Sequence, residues 1–207
     1  MTFSSGFRRS ATVVGGVVLS VVLAACSGGS GADSGSPSSG SRSADASGSQ
    51  GSSGVEIANP KDAAAADVCS LLPAEAASQL GLKTEGEKKS SMTNPEASDA
   101  CYWESPDGGA TKNSFAVSDG RSIQQYYDNP DSFYDFEKMT IAGYPAVRAN
   151  KGDPMSAGSC GIFLASKQDQ VVQSFSSLNA EDTGKVDPCV RAKKALKLSV
   201  SSWPAAK

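Results

Sequence analysis

From residue 11 to residue 25 the chain is apolar except at Thr12, Gly15, Gly16 and Ser20. About 15 residues is the length of the apolar core of an export signal, and it falls short of the roughly 20 that a helix needs to cross a bilayer. Apolar rhythm returns only beyond residue 58. Leu72, Ala76 and Leu80 recur at helical spacing and predict a helix over 67–81. Pro73 suits a first turn, Glu75 follows where the helix dipole favours an acid, and Gly81 can end the helix.

Further on the period shortens to two. Residues 83–99 are polar, with a short strand near 85–89 and a loop through Asn94-Pro95. Cys101 and Trp103 share one face of a strand over 100–104, as Phe115 and Val117 do over 114–118, and Pro106-Asp107-Gly108-Gly109 between them is turn chemistry. A short helix over 122–127 would bury Ile123 and Tyr126, and Asp128-Asn129-Pro130-Asp131 breaks it. Strands over 136–141 and 146–149 flank a turn at Gly143-Tyr144-Pro145. Strands over 160–166 and 170–176 form a hairpin around Lys167-Gln168-Asp169. Asp187-Pro188 then opens a C-terminal helix on which Cys189, Ala192, Leu196, Val200 and Trp203 make an apolar stripe. Arg191, Lys193, Lys194 and Lys197 lie mostly off that stripe. The expected fold class is α+β: a mainly antiparallel sheet with N- and C-terminal helices packed on it.

Composition divides the chain. Residues 27–54 hold 12 Ser and 8 Gly, with Asp33, Arg42 and Asp45 as the only charges. Such a stretch has too little apolar surface to offset the entropy of ordering, so a flexible tether spanning about 30 Å is expected. Ahead of it, Leu23-Ala24-Ala25-Cys26 has the form of a lipobox, in which Cys26 becomes the lipidated first residue of the mature chain. The expected organisation is a lipoprotein signal peptide over 1–25, the lipidated cysteine and tether over 26–58, and one globular α+β domain over 59–207. Two acyl chains hold a protein stably to a membrane where one does not, so a diacylglyceryl cysteine would anchor it. Without the two leader arginines, 17 basic residues face 22 acidic ones, a charge of −5. That balance argues against a nucleic-acid footprint.

Cysteine arithmetic adds two cross-links. With Cys26 assigned to lipid, Cys69, Cys101, Cys160 and Cys189 form an even set in an exported chain, and three connectivities are open. No C-x2-C pair exists to favour zinc. Cys69 precedes a strand cysteine in the first half, and Cys160 precedes a helical cysteine in the second. Pairing neighbours, Cys69 with Cys101 and Cys160 with Cys189, would therefore staple each terminal helix to a strand beneath it.

Cys69-Ser70-Leu71-Leu72 with Glu75, Cys101-Tyr102-Trp103, Gly143-Tyr144-Pro145-Ala146, Cys160, and Asp187-Pro188-Cys189 with Ala192 resemble the actinobacterial lipoproteins of domain-of-unknown-function family 3558. The resemblance spans most of 67–203 and departs at Leu72-Pro73, where a threonine often precedes the helix. It implies the architecture and a lipid-anchored place in the cell envelope, on the extracytoplasmic face of the membrane. It implies no activity, because the family has none established.

Candidate chemistry is sparse. The chain has no histidine, which excludes Ser-His-Asp and Cys-His catalysis and the usual zinc hydrolase ligand sets. No S-x-x-K, Walker loop or G-x-G-x-x-G occurs. Asp128, Asp131, Asp135 and Glu137 stand amid Tyr126, Tyr127, Phe133, Tyr134 and Phe136. One reading is a carbohydrate site with aromatic faces and acid/base carboxylates; the plainer one is an acidic loop beside core aromatics. Tyr126, Tyr127, Asp131 and Tyr134 are the candidate ligand contacts. The basic helix face could touch anionic lipid or wall polymer. The sequence thus predicts a non-enzymatic lipoprotein that uses no cofactor or metal and binds an envelope protein, lipid or wall polymer. A carboxylate-based envelope hydrolase and an accessory or signalling subunit of a membrane complex are the alternatives.

Overall fold

The computed structural model describes residues 55–207. Cys26, the expected signal peptide and most of the expected tether lie outside them. Helices are α1 (Ala74–Gln79), α2 (Gln124–Tyr127), α3 (Pro154–Ala157) and α4 (Pro188–Ser199). Strands are β1 (Glu87–Ser90), β2 (Asp99–Glu104), β3 (Lys112–Asp119), β4 (Asp135–Ile141), β5 (Tyr144–Asn150), β6 (Ser159–Lys167) and β7 (Gln170–Ser177). They form one sheet in the order β1-β2-β3-β7-β6-β5-β4, with every neighbouring pair antiparallel. Two meanders thus meet at the β3–β7 seam. The chain leaves β3 in the middle of the sheet and re-enters at its far edge as β4, so residues 120–134 must travel across one face.

The opposite face is closed by α4. Strand alternation turns Trp103, Phe115, Ile162, Leu164 and Val172 toward it. The stripe of Cys189, Ala192 and Leu196, extended by Val200 and Trp203 just beyond the helix, is buried against them. Asp187 caps α4 by accepting from the Cys189 amide at 2.8 Å, with Pro188 in the first turn. Disulfides Cys69–Cys101 and Cys160–Cys189 stitch the covering segments to β2 and β6. Phe115 meets the edges of Trp103 and Trp203, with ring centroids 5.7 and 6.2 Å away. Trp203 Nε1 donates to the Leu71 carbonyl at 2.8 Å, so this bulky ring is buried with its polar atom satisfied. Gly86 presses on the same layer; a side chain there would collide with Cys101 Sγ and the Trp103 indole.

Two local expectations change. The single helix over 67–81 is instead a 3-10 turn, Val68–Ser70, followed by the six-residue α1. Pro73 sits extended at φ −58°, ψ 148° as the N-cap of α1. A proline ring disfavours helical geometry in the residue before it, which breaks the run at Leu72. The expected turn at Gly143-Tyr144-Pro145 contracts to Ala142-Gly143, both at positive φ, between the paired Ile141 and Tyr144. Pro145 therefore lies within β5. The ladder to β6 begins only at Ala146, so no ladder bond is demanded of its nitrogen.

Basic residues on α4 serve the fold. Arg191 Nη1 donates to the Leu80 carbonyl at 2.8 Å and Lys194 Nζ to that of Gln79 at 2.9 Å, satisfying groups left over at the end of α1. The segment entering the domain is tied to the C-terminal end. Asp62 N donates to the Pro204 carbonyl, Ala206 N to that of Pro60, and the Tyr144 hydroxyl to that of Asn59. The Val55 carbonyl accepts from Gln168 Nε2, at the β6–β7 turn.

Candidate functional site

Away from α4 the sheet is covered in two pieces. Residues 91–98 fold over Ala100, Tyr102 and Ala116, with Ala97 beneath them. Their loop is fixed by Asn94 Nδ2 donating to Ser118 Oγ at 2.9 Å and by the Met92 amide donating to the Tyr102 hydroxyl. The crossing segment 120–134 puts Ile123 and Tyr126 on Val147, Ala149, Ala165 and Val171. Between these covers runs a groove of about 390 Å³. Gly161 and Phe163 of β6 and Gln173 and Phe175 of β7 line it from the sheet, and Asn150 and Lys151 line it at the end of β5. Thr93 and Glu96 border one side, and Arg121, Tyr126 and Phe133 the other. A second hollow of about 160 Å³ shares Thr93 and Phe175 and runs on beside Met92 and Ser114.

The wall toward the crossing segment is aromatic. Tyr126 lies 4.5 Å from Phe163 and 6.0 Å from Phe133 between ring centroids. The Arg121 guanidinium sits 4.8 Å from the Tyr126 ring centre, and Lys151 Nζ lies 4.6 Å from that of Phe133. Arg121 also pairs with Glu96, so one ion pair joins the two covers. Burial pushes the Tyr126 phenol above its ordinary 10.0, partly offset by the nearby Arg121 charge.

Two glutamines on β7 define the site by contrast. Gln170 is fully buried and saturated: Oε1 accepts from Ala63 N and Ser166 Oγ, while Nε2 donates to Asp62 and Asp119. Gln173, 4 % exposed, lines the groove, and its Oε1 has no partner among the described residues. The same holds for two other buried groove atoms, Thr93 Oγ1 and Arg121 Nε. Buried polar groups are hydrogen-bonded in the great majority of cases. Trp103 Nε1, Ser105 Oγ and Ser176 Oγ are likewise without a partner among the described residues, but only Thr93, Arg121 and Gln173 belong to residues that share one concavity.

Of the residues singled out from sequence, Tyr126 lines the groove. Tyr127 faces other packing: its hydroxyl donates to the Ala146 carbonyl at 3.1 Å, and Lys138 Nζ lies 4.4 Å from its ring centre. Asp131 is exposed in the 3-10 turn Pro130–Ser132. Tyr134, 74 % exposed, borders a separate hollow with Asp135, Arg148 and Met155. Asp135 and Glu137 both pair with Arg148, at 2.7 and 3.2 Å, and Asp128 accepts from Gln124 Nε2. Asp135 and Glu137 thus share one guanidinium and Asp128 is held by an amide, while Asp131 has no side-chain partner among the described residues. Among the described residues no group of three or more Cys, Asp or Glu is placed to hold a metal, and no helix is long and apolar enough to cross a membrane. Thr93, Arg121, Phe163 and Gln173 escaped the sequence reading. Each is an ordinary residue in an ordinary loop or strand until five distant segments converge.

The described residues thus define a seven-stranded antiparallel sheet with a helix on one face and two disulfides. The chain belongs to the family described as protein of unknown function (DUF3558), which matches residues 21–202. No curated protein and no solved structure matches it.

Proposed function

We propose that this chain is a lipid-anchored, extracytoplasmic binding domain without turnover of its own, whose ligand seats in the groove on the open face of the sheet. The observation that carries the reading is the buried Gln173 amide, which lines an aromatic-walled concavity and whose oxygen has no partner among the described residues. Its volume lies within the roughly 300–1,000 Å³ usual for small-molecule sites. The apolar leader, Leu23-Ala24-Ala25-Cys26 and the Ser/Gly-rich stretch support the anchored location, and two disulfides suit an oxidising compartment. The missing histidine, and carboxylates engaged in ion pairs or hydrogen bonds, support binding rather than hydrolysis.

Gly161 provides the test. A Cβ there would rest 3.4 Å from Gln173 Nε2, 3.5 Å from Asn150 Oδ1 and 3.7 Å from Phe163, in ordinary contact, so the backbone accepts a side chain at this position and the methyl groups of Gly161→Val extend into the groove. The full chain, isolated from its host and examined by native mass spectrometry, should carry a small molecule that the Gly161→Val chain lacks at equal thermal stability. Equal capture by both chains would place the ligand elsewhere. The anchor is tested separately: Cys26→Ala should abolish labelling by a palmitate analogue, and persistent labelling would remove the lipobox from the reading.

A further inference from the structure

We infer that the ligand of this groove is a glycan, with one sugar ring laid against the aromatic wall. The inference rests on the groove being the ligand site, and it comes from matching each unsatisfied group to a chemistry. Gln173 offers an amide, Thr93 a hydroxyl that can donate or accept, and Arg121 an Nε–H that can only donate. A sugar hydroxyl both donates and accepts, so a polyol satisfies this mixed set from one ring. The C–H face of the same ring fits an aromatic surface such as that of Phe163 and Phe175, which are partly exposed in the groove.

Other ligand classes fit less of the site. An acyl chain would cover the aromatic rings and leave the Gln173 amide sealed from water without a partner, a cost that disfavours it. A peptide adding as a strand needs an open sheet edge, but the groove overlies β6 and β7, each already paired on both sides. A polyanion needs clustered free cations. Here Arg121 is neutralised by Glu96, which leaves Lys151 as the one groove-lining cation without a carboxylate partner among the described residues. One ammonium suits a neutral or singly acidic sugar.

The test uses the full chain in nanodiscs, followed by backbone amide NMR. Maltotriose, triacetylchitotriose and trigalacturonate are the glycan probes; decanoate and trialanine are the controls. At least one trisaccharide should shift the amides of Thr93, Arg121, Gly161 and Gln173. Its affinity should fall tenfold or more in Gln173→Met and about threefold in Thr93→Val. Without ligand, Gln173→Met should unfold at the same or a higher temperature than the parent, because it removes an unpaired buried amide. A residue kept for packing alone would show no such division between binding and stability. Trisaccharide binding untouched by Gln173→Met would overturn the inference. Groove shifts from decanoate or trialanine alone would also overturn it, while leaving the groove as the ligand site. Silence of the groove amides toward every probe would count against both.

Discussion

The two faces of this sheet are built from alternate residues of the same strands, yet they end in different states. On the α4 side, Trp103, Phe115, Leu164, Val172 and Leu196 are all fully buried, and two disulfides fasten the covering segments. On the other side, the loop over Tyr102 and the crossing segment over Val147 each bury a small cluster and leave the groove between them. Stability and the groove are therefore carried by opposite sides of one layer. Gln170 and Gln173 differ in the same way on a single strand: one amide has all its partners, and the oxygen of the other has none among the described residues.

Substitutions can break that contrast. Trp103→Ala should cost about 3–5 kcal/mol, the usual range for a buried aromatic, whereas Phe175→Ala in the groove lining should cost less than about 2 kcal/mol because its ring is only partly buried. Comparable losses in urea titrations would mean that the open face is as structural as the sealed one. Replacing Cys160 and Cys189 together by alanine should cost about 2–4 kcal/mol. Dithiothreitol should then lower the urea midpoint of the parent by more than it lowers that of the variant. If the variant retained parental stability, the stitch between α4 and β6 would be idle.

A smaller effect concerns acid. Asp62 is held below its ordinary 3.8, first by the hydrogen bond from Gln170, then by Lys167. A carboxylate depressed on folding adds stability that is present above its unfolded pKa and lost as pH falls through its folded one. Asp62→Asn should therefore flatten the stability curve below about pH 4 and leave Gln173 variants unaffected there. A parallel change in both would couple the saturated amide to the unsaturated one. Cutting the Glu96–Arg121 pair with Glu96→Gln should move stability by no more than about 1 kcal/mol, since the pair is partly exposed. A larger drop in thermal melts would mean that the two covers act as one body.

What the sequence disclosed follows the same line. The α4 stripe, the β6–β7 hairpin and the β2–β3 alternation were legible because a sealed face imposes a period on the residues beneath it. Pro145 misled, since a proline reads as a turn unless the reach of the neighbouring ladder is known. β1, exposed along its whole length, offers no alternation, so the short strand expected near 85–89 is found but shifted to Glu87–Ser90. α3 lies where no apolar rhythm marks the chain; it shows itself by Asp153 accepting from Ser156 N and by Pro154 behind it. Gln173 could not be singled out, because a polar residue in an alternating strand reads as one that faces water. Its significance depends on Thr93 and Arg121 arriving from loops far away in sequence.

The bond between Gln168 and the Val55 carbonyl also gives the domain a mechanical polarity. Val55, the first described residue, is held at the β6–β7 turn, while Gly161 and Phe175 lie toward the other end of the same two strands. From Gln168 to Gly161 is seven residues of strand, on the order of 20 Å at 3.3 Å per residue. A pull applied through the leading segment against an occupied groove would run lengthwise along β6 and β7. Neighbouring ladder bonds would then be sheared together rather than opened one after another, the direction in which a sheet resists longest.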